Sequence, residues 1–394
     1  MKVLICDYTG NSAKWIDEFI IKENLEVVGT ITSATDKNLL AEKSSWEYLL
    51  VFEQGAHQFF VVLAQFMNIP PQRVIFALDW NSWATHPAAM YTLLNPQGGG
   101  QLAYRILHFQ TARQFNYFTS CTTADGLHYV ATSKDEAILG QMYINRQNYS
   151  ADTIEAFYLL TKNFYNVDDS EGIFLDIGAN IGTTGIYFLK KFAPNLKLLA
   201  FEPDPENFKL LRANLILNDL YEKTTVENYG LGNVESEQTM YRMPNNPGSN
   251  GMYTNFFLDD APVEKVKIIS LDKYFVEKNI SPKDVKYIWI DTEGFEPQVL
   301  LGMKNILQEN PAPVFFEFNP QRWQETGCYE KLVDFLKELY VGYIWTKEYF
   351  QTKKFTVNKI EDLLKFRNST DAAGFIGDIF LIHELKDEVK GVVE

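Results

Sequence analysis

The sequence predicts an α/β protein built on a doubly wound, mostly parallel sheet. Three observations carry this. Short apolar runs alternate with stretches of helical apolar spacing along most of the chain. One run, Ile173–Leu175, passes through Asp176 into a glycine-rich bend, "FLDIGANIGTTG" at 174–185. A second run ends in an acid, Glu202, 26 residues after Asp176.

The elements follow in order. Over residues 1–80, "KVLIC", "LEVVGTI", "YLLVF" and "IPPQRVIFAL" read as strands. Between them lie two helices, "NSAKWIDEFIIKEN", with Trp15, Phe19 and Ile20 on one face, and "GAHQFFVVLAQFMN". This predicts a small parallel-sheet domain. Its first turn, "CDYTGNSAKW", holds a single glycine, so a nucleotide site of its own is not expected. Residues 81–150 lose this rhythm: "NPQGGGQ" breaks any period, and Trp80, Trp83, Tyr91, Tyr104, Phe109 and Phe115 make the stretch aromatic-rich. It reads as a connector packed on its neighbours, or as a lid. Ser150 can cap the helix that follows, before Asp152 and Thr153, and sets a boundary near 150.

Residues 151–394 form the main domain. Ile173–Leu175 suits a strand buried on both faces, and helical spacing resumes at Thr183. Leu196–Phe201 is the next strand, followed by a helix. "TTVENYGLG" is expected as the fourth strand, "YIWIDTEG" as the fifth and "PVFFEFN" as the sixth. "FIGDIFLIHEL" at 375–385 is expected last, antiparallel and inserted between five and six. "MPNNPGSNGMYTNFF" at 243–257 reads as a long polar turn.

The bend at 174–185 is built for a ligand. Glycine permits positive φ and removes the Cβ between backbone and ligand, and the helix that follows offers free N–H groups. The spacing is not the G-x-G-x-x-G of dinucleotide sites, and the Gly-Lys-Ser/Thr of a P-loop is absent. No Lys or Arg lies between Asp176 and Leu189 to balance a polyphosphate. The anion at the entrance instead suits a positively charged ligand, such as the sulfonium and amino groups of S-adenosylmethionine. Glu202 is placed to accept hydrogen bonds from ribose hydroxyls.

These segments resemble a known family. "FLDIGANIGTTGIYF", "AFEPDPENFKLLRANLILNDL", "ENYGLGN", "VKIISLDKYF" and "VKYIWIDTEGFEPQVLLGM" are similar, in order, to the motifs of FkbM-type methyltransferases over about residues 151–394. The resemblance implies a Rossmann-like seven-stranded methyltransferase sheet, mostly parallel with the last strand antiparallel, and S-adenosyl-L-methionine as cofactor. Here "DTEG" stands where the family most often has Asp-Val-Glu-Gly, which leaves both carboxylates in place. The 1–80 domain is then also Rossmann-like. It is expected to be an accessory or oligomerisation domain, through which the chain would form a homodimer, or to help shape the acceptor pocket.

Site residues follow from strand ends and from the resemblance. Asp176 and Glu202 are assigned to the cofactor; the resemblance adds Gly178, Asn180 and Gly182 along the loop, and Asn228 with Gly230 near the adenine. Asp291 ends a strand beside the expected methyl position, and Glu293 follows it; either could act as general base, with His108 of the aromatic stretch as the histidine candidate. Asn246, Ser249 and Asn250, with Glu317 and Asn319, are candidates for binding a sugar or other polyhydroxylated acceptor. Asp291, Glu293, Glu317 and Asn319 offer oxygen ligands for Mg²⁺, but the Asp-Asn pair of metal-dependent methyltransferases is missing, so no metal is assigned.

The expected activity is methyl transfer from S-adenosylmethionine to a hydroxyl of a small molecule or glycan. An NAD(P)-type oxidoreductase and a non-catalytic binding protein on the same fold are the competing readings. A net charge of −15 argues against nucleic acid as partner. Three cysteines, Cys6, Cys121 and Cys328, are too few and scattered for a disulfide framework. The start, "MKVLICDYTG", reads as a strand rather than a signal peptide, and no apolar run approaches the ~18 residues of a membrane span. A cytoplasmic setting is the expectation.

Overall fold

A computed structural model of the chain describes residues 2–6, 26–32, 45–51, 74–76, 109, 118–243, 246–252, 263–352, 354–366 and 377–385. The chain divides into two compact units, Met1–Thr119 with Tyr143–Asn145, and Ser120–Met142 with Arg146–Glu394.

In the first unit, strands β1 (Lys2–Cys6), β2 (Glu26–Ile31), β3 (Tyr48–Val51) and β4 (Val74–Phe76) form one parallel sheet in the order β2-β1-β3-β4. Val3, Leu4 and Ile5 are buried, as a central parallel strand requires. These are the four strands expected over 1–80. The two expected helices between them, and His108, lie outside the described residues.

In the second unit a seven-stranded sheet carries the fold. It comprises β7 (Ile173–Ile177), β8 (Lys197–Phe201), β9 (Thr224–Glu227), β13 (Val285–Ile290), β14 (Val314–Phe318), β15 (Gly342–Trp345) and β16 (Gly377–Ile382), in the order β15-β16-β14-β13-β7-β8-β9. β16 runs antiparallel to both neighbours, as expected for the last strand. Its place differs from the expectation: "YIWID" and "PVFFEF" pair directly, and β16 lies between "PVFFEF" and β15. β15, "GYIW", was not foreseen, because four residues behind a glycine carry too little pattern. The expected fourth strand, "TTVENYGLG", is the third of this sheet and stops at Glu227. Its Gly230–Leu231 end (β10) joins a separate small sheet with β11 (Ser236–Tyr241) and β12 (Val263–Ile269).

Alternation along the strands builds two cores. Phe174, Tyr287, Trp289, Phe315 and Phe380 gather around Phe157 of helix α1 (Ala151–Phe164) and Phe188 of α2 (Thr183–Lys191). Leu175, Ile177, Ile288, Ile290, Phe316 and Phe318 cluster with Val299 and Leu300 of α4 (Glu296–Gly302) and Trp323 of α5 (Pro320–Glu325). Between these helices in sequence, α3 (Pro205–Leu217) starts with Asp204 as its cap and Pro205 in its first turn. Ser150 stands at the start of α1 at φ 53° and makes no side-chain cap, so the capping expected of it is corrected.

Helix α3 also holds the β5–β6 hairpin (Phe118–Thr122, His128–Thr132) by a ladder of side-chain amides. Asn218 bonds both His128 N (3.0 Å) and O (2.6 Å), and Asn214 both Val130 N (2.7 Å) and O (3.1 Å). Asn214 reaches the glycine bend as well, through the Ile181 carbonyl at 2.8 Å.

Candidate active site

The site lies at the carboxyl ends of β7, β8 and β13, where a parallel sheet opens a crevice. The bend after β7 takes its shape from glycines. Gly178 has φ 82°, and a Cβ there would stand 1.8 Å from the Asp291 carbonyl oxygen, so only glycine lets β7 and β13 end this close together. Asn180 adopts φ 49°, and Gly182, at φ 91°, opens α2.

Acids converge on this bend. Asp176 is buried, accepts from Gly185 N at 2.9 Å through Oδ2, and has no partner at Oδ1. Burial raises its pKa to about 7. Glu202, also buried, accepts from Asn180 N (2.7 Å) and Asp204 N (2.8 Å), and burial raises it to about 8 despite those bonds. β7 and β8 pair in parallel with Asp176 opposite Ala200, so both acids belong to one end of the sheet. Asn228 holds the Glu202 strand end from behind, donating to the carbonyls of Glu202 (2.8 Å) and Pro203 (3.0 Å).

Above β13 the turn "DTEGFEP" is organised by a residue that sequence reasoning passed over. Glu296 is fully buried and accepts from Thr292 N (2.9 Å), Thr292 Oγ1 (2.9 Å), Gly294 N (3.2 Å) and Trp323 Nε1 (2.9 Å). Glu293, in left-handed backbone at φ 54°, pairs with Arg322. Asp291 is open to solvent from the cleft. Its proton affinity is raised by its dense surroundings and then by the charges of Glu293, Glu296, Asp378 and Asp176; the repulsion is the part a bound cation would relieve. Glu317 is raised likewise, by burial and then by Asp291 and Glu293, and its Oε2 has no partner. Asp378, opposite Glu317 on β16, is raised by burial to about 6.

A cleft of about 580 Å³ joins these parts. Of the residues singled out in the sequence, Gly178, Asn180, Glu202, Gly230, Asn250, Asp291 and Glu293 line it. Tyr229, Leu231, Met240 and Met252 supply apolar lining that sequence reasoning did not name. Asp176, Gly182, Asn228 and Glu317 are not lining residues but stand behind it as described. Asn246 and Ser249 bond one another at 2.7 Å and brace the loop. Asn319 accepts from Arg322 N at 3.1 Å through its side chain and caps α5; it is not among the lining residues.

This strand order, with a glycine bend after β7 and an acid after β8, defines a Rossmann-like methyltransferase fold. Residues 176–351 match the family model described as the methyltransferase FkbM domain. Methyltransferase sdnD of Sordaria araneosa is 32% identical over 147 residues, 37% of this chain and 48% of that protein. Methyltransferase 1 of Beauveria bassiana is 28% identical over 151 residues, 34% of this chain and 59% of that protein. The matched stretch thus spans about half the length of these curated relatives. The crystal structure of methyltransferase FkbM from Methylobacillus flagellatus KT aligns over 85% of this chain and 84% of its own, at 12% identity and a TM-score of 0.34.

Proposed function

We propose that the cleft binds S-adenosyl-L-methionine and that the protein methylates a hydroxyl of a sugar, glycan or other small molecule. One observation carries the reading: the cleft is lined by Glu202, Asp291 and Glu293 and, among the described residues, by no Lys or Arg. Arg322 is paired with Glu293, and Arg242 with Asp204. A cationic nucleoside fits that field; a polyphosphate does not. Asn180 lines the cleft, and its Oδ1, which has no partner among the described residues, fits a ligand rich in donors.

When bound, the cofactor supplies an electrophilic methyl group on a positively charged sulfur. The chain's residues do the rest. Glu202 would accept from the ribose hydroxyls, and Tyr229, Leu231, Met240 and Met252 would offer apolar surface to the base. Asp291, with its proton affinity raised well above the usual carboxylate range, takes the proton of the acceptor hydroxyl at a carboxylate oxygen; such transfer contributes about 10²–10⁴-fold. Glu293, held as an ion pair by Arg322, fixes the turn that carries Asp291.

Calorimetry with S-adenosylhomocysteine and with NAD tests the cofactor assignment. Binding of the first and not the second is expected; the reverse overturns it. A methylation screen against sugars and hydroxylated small molecules, read by mass, then tests the acceptor class.

A further inference from the structure

The loop after β11 closes over the cleft on a compact ionic cluster. Tyr241 and Gly251 exchange backbone hydrogen bonds at 2.7 and 3.1 Å and pinch the loop at its neck. Just inside the neck, Arg242 and Asn250 reach the same buried carboxylate. Asp204 Oδ2 accepts from Arg242 Nε (2.9 Å) and Asn250 Nδ2 (2.9 Å), and Oδ1 from Arg242 Nη2 (3.0 Å). This fork on a carboxylate that is 2% exposed is the geometry in which an ion pair gains most. The side-chain oxygen of Asn250, Oδ1, accepts from Met243 N at 2.8 Å, and Asn207 Nδ2 donates to the Pro247 carbonyl at 3.2 Å. Glu264 stands 3.5 Å from Arg242 and completes the charge around it.

What the cluster holds is a wall of the cleft. Pro247, Gly248, Asn250, Gly251 and Met252 all line it. The loop sits so close that a Cβ on Gly248 would stand 3.2 Å from Asn180 Nδ2 and 2.6 Å from Ile138 Cδ1. Asp204 is also tied to the opposite wall, since its N–H donates to Glu202. The three residues Glu202–Asp204 thus serve the ribose position and the loop together.

We propose that Arg242, Asp204 and Asn250 are positioning residues that clamp residues 246–252 as one wall of the nucleoside half of the cleft, and so set the release rate of the bound nucleoside. This rests on the cleft binding a nucleoside as proposed above. Arg242 and Asp204 stand behind the lining residues and are not lining residues themselves, so loosening them acts on release more than on capture.

The test follows S-adenosylhomocysteine dissociation by stopped flow in the full chain. R242Q removes the fork. N250A releases the loop while leaving Asp204 free to cap α3, and serves if R242Q folds poorly. Both are expected to raise the off-rate about tenfold with the on-rate within about threefold. R242K, which keeps charge without the fork, should fall between. In a cycle with D204N, R242Q should add little further effect, because the two residues form one clamp. Unchanged off-rates in R242Q and N250A, or fully additive effects in the cycle, overturn the proposal. If the wild-type chain binds no S-adenosylhomocysteine, the cofactor reading fails instead, and the two failures are distinguished by that single control.

Discussion

Glu202 shows how one side chain links stability to ligand binding. Burial raises it to about 8 and Asp176 to about 7. Both values lie above those of the unfolded chain, near 4. The neutral forms are therefore favoured in the folded state: their contribution is complete below about pH 4 and is lost as pH rises through 7 to 8. The thermal midpoint of the ligand-free protein should fall between pH 5 and pH 9, and E202Q should flatten that slope in a pH series of thermal melts. Ribose hydroxyls donating to Glu202 favour its charged form. S-adenosylhomocysteine binding should then release protons near pH 7 and tighten as pH rises toward 8. Calorimetry in buffers of different ionisation enthalpy measures the proton count, and no release would rule out the ribose contact. Asp176 answers a simpler question. D176A leaves Gly185 N without its partner and should cost about 1–3 kcal/mol in a denaturant titration, whereas D176N, which can still accept, should cost less.

Two predictions belong to the elements. G178A forces a methyl group against the Asp291 carbonyl in a positive-φ site, so it should destabilise the protein by about 2–4 kcal/mol and disorder the bend. N214A cuts the ladder between α3 and β6 and frees the Ile181 carbonyl. Hydrogen exchange should speed up over 128–132 and around 181 while the central strands stay protected. The same elements show what was legible in the sequence. The bend at 174–185, the acid at Glu202 and the strands of the sheet other than β15 were readable because each is encoded locally, by apolar runs and by glycines. The roles of Asn214 and Asn218 were not, since polar residues on a helix read as solvated face until the hairpin is known. Glu296 reads as an acid in a first helical turn; its four donors include Trp323, 27 residues on. Arg242 meets Asp204 across 38 residues, a pairing that no local pattern announces. The strand ends were legible and the contacts between them were not.

At the scale of the whole molecule, charge is the governing quantity. A net −15 sets a negative field around an acidic cleft. The sulfonium cofactor carries one more positive charge than its demethylated product. Its association rate should fall as salt rises from 0.02 to about 0.5 M, where the Debye length shortens several-fold, while that of S-adenosylhomocysteine should change little. Stopped-flow rates for the two ligands across that range check this, and parallel slopes would contradict it. Among the described residues no helix is long and apolar enough to cross a membrane.

The position of β16 has its own consequence for how the chain is made. The strand that ends at Ile382 lies in the interior of the sheet, between β14 and β15, and is bonded to both. Synthesis runs from the amino end, so β14 and β15 leave the ribosome before β16, facing a gap that only this later strand closes. Until then each exposes an unpaired apolar edge, the kind of surface that recruits foreign strands. Termination at residue 376 should therefore yield aggregates rather than a smaller soluble protein.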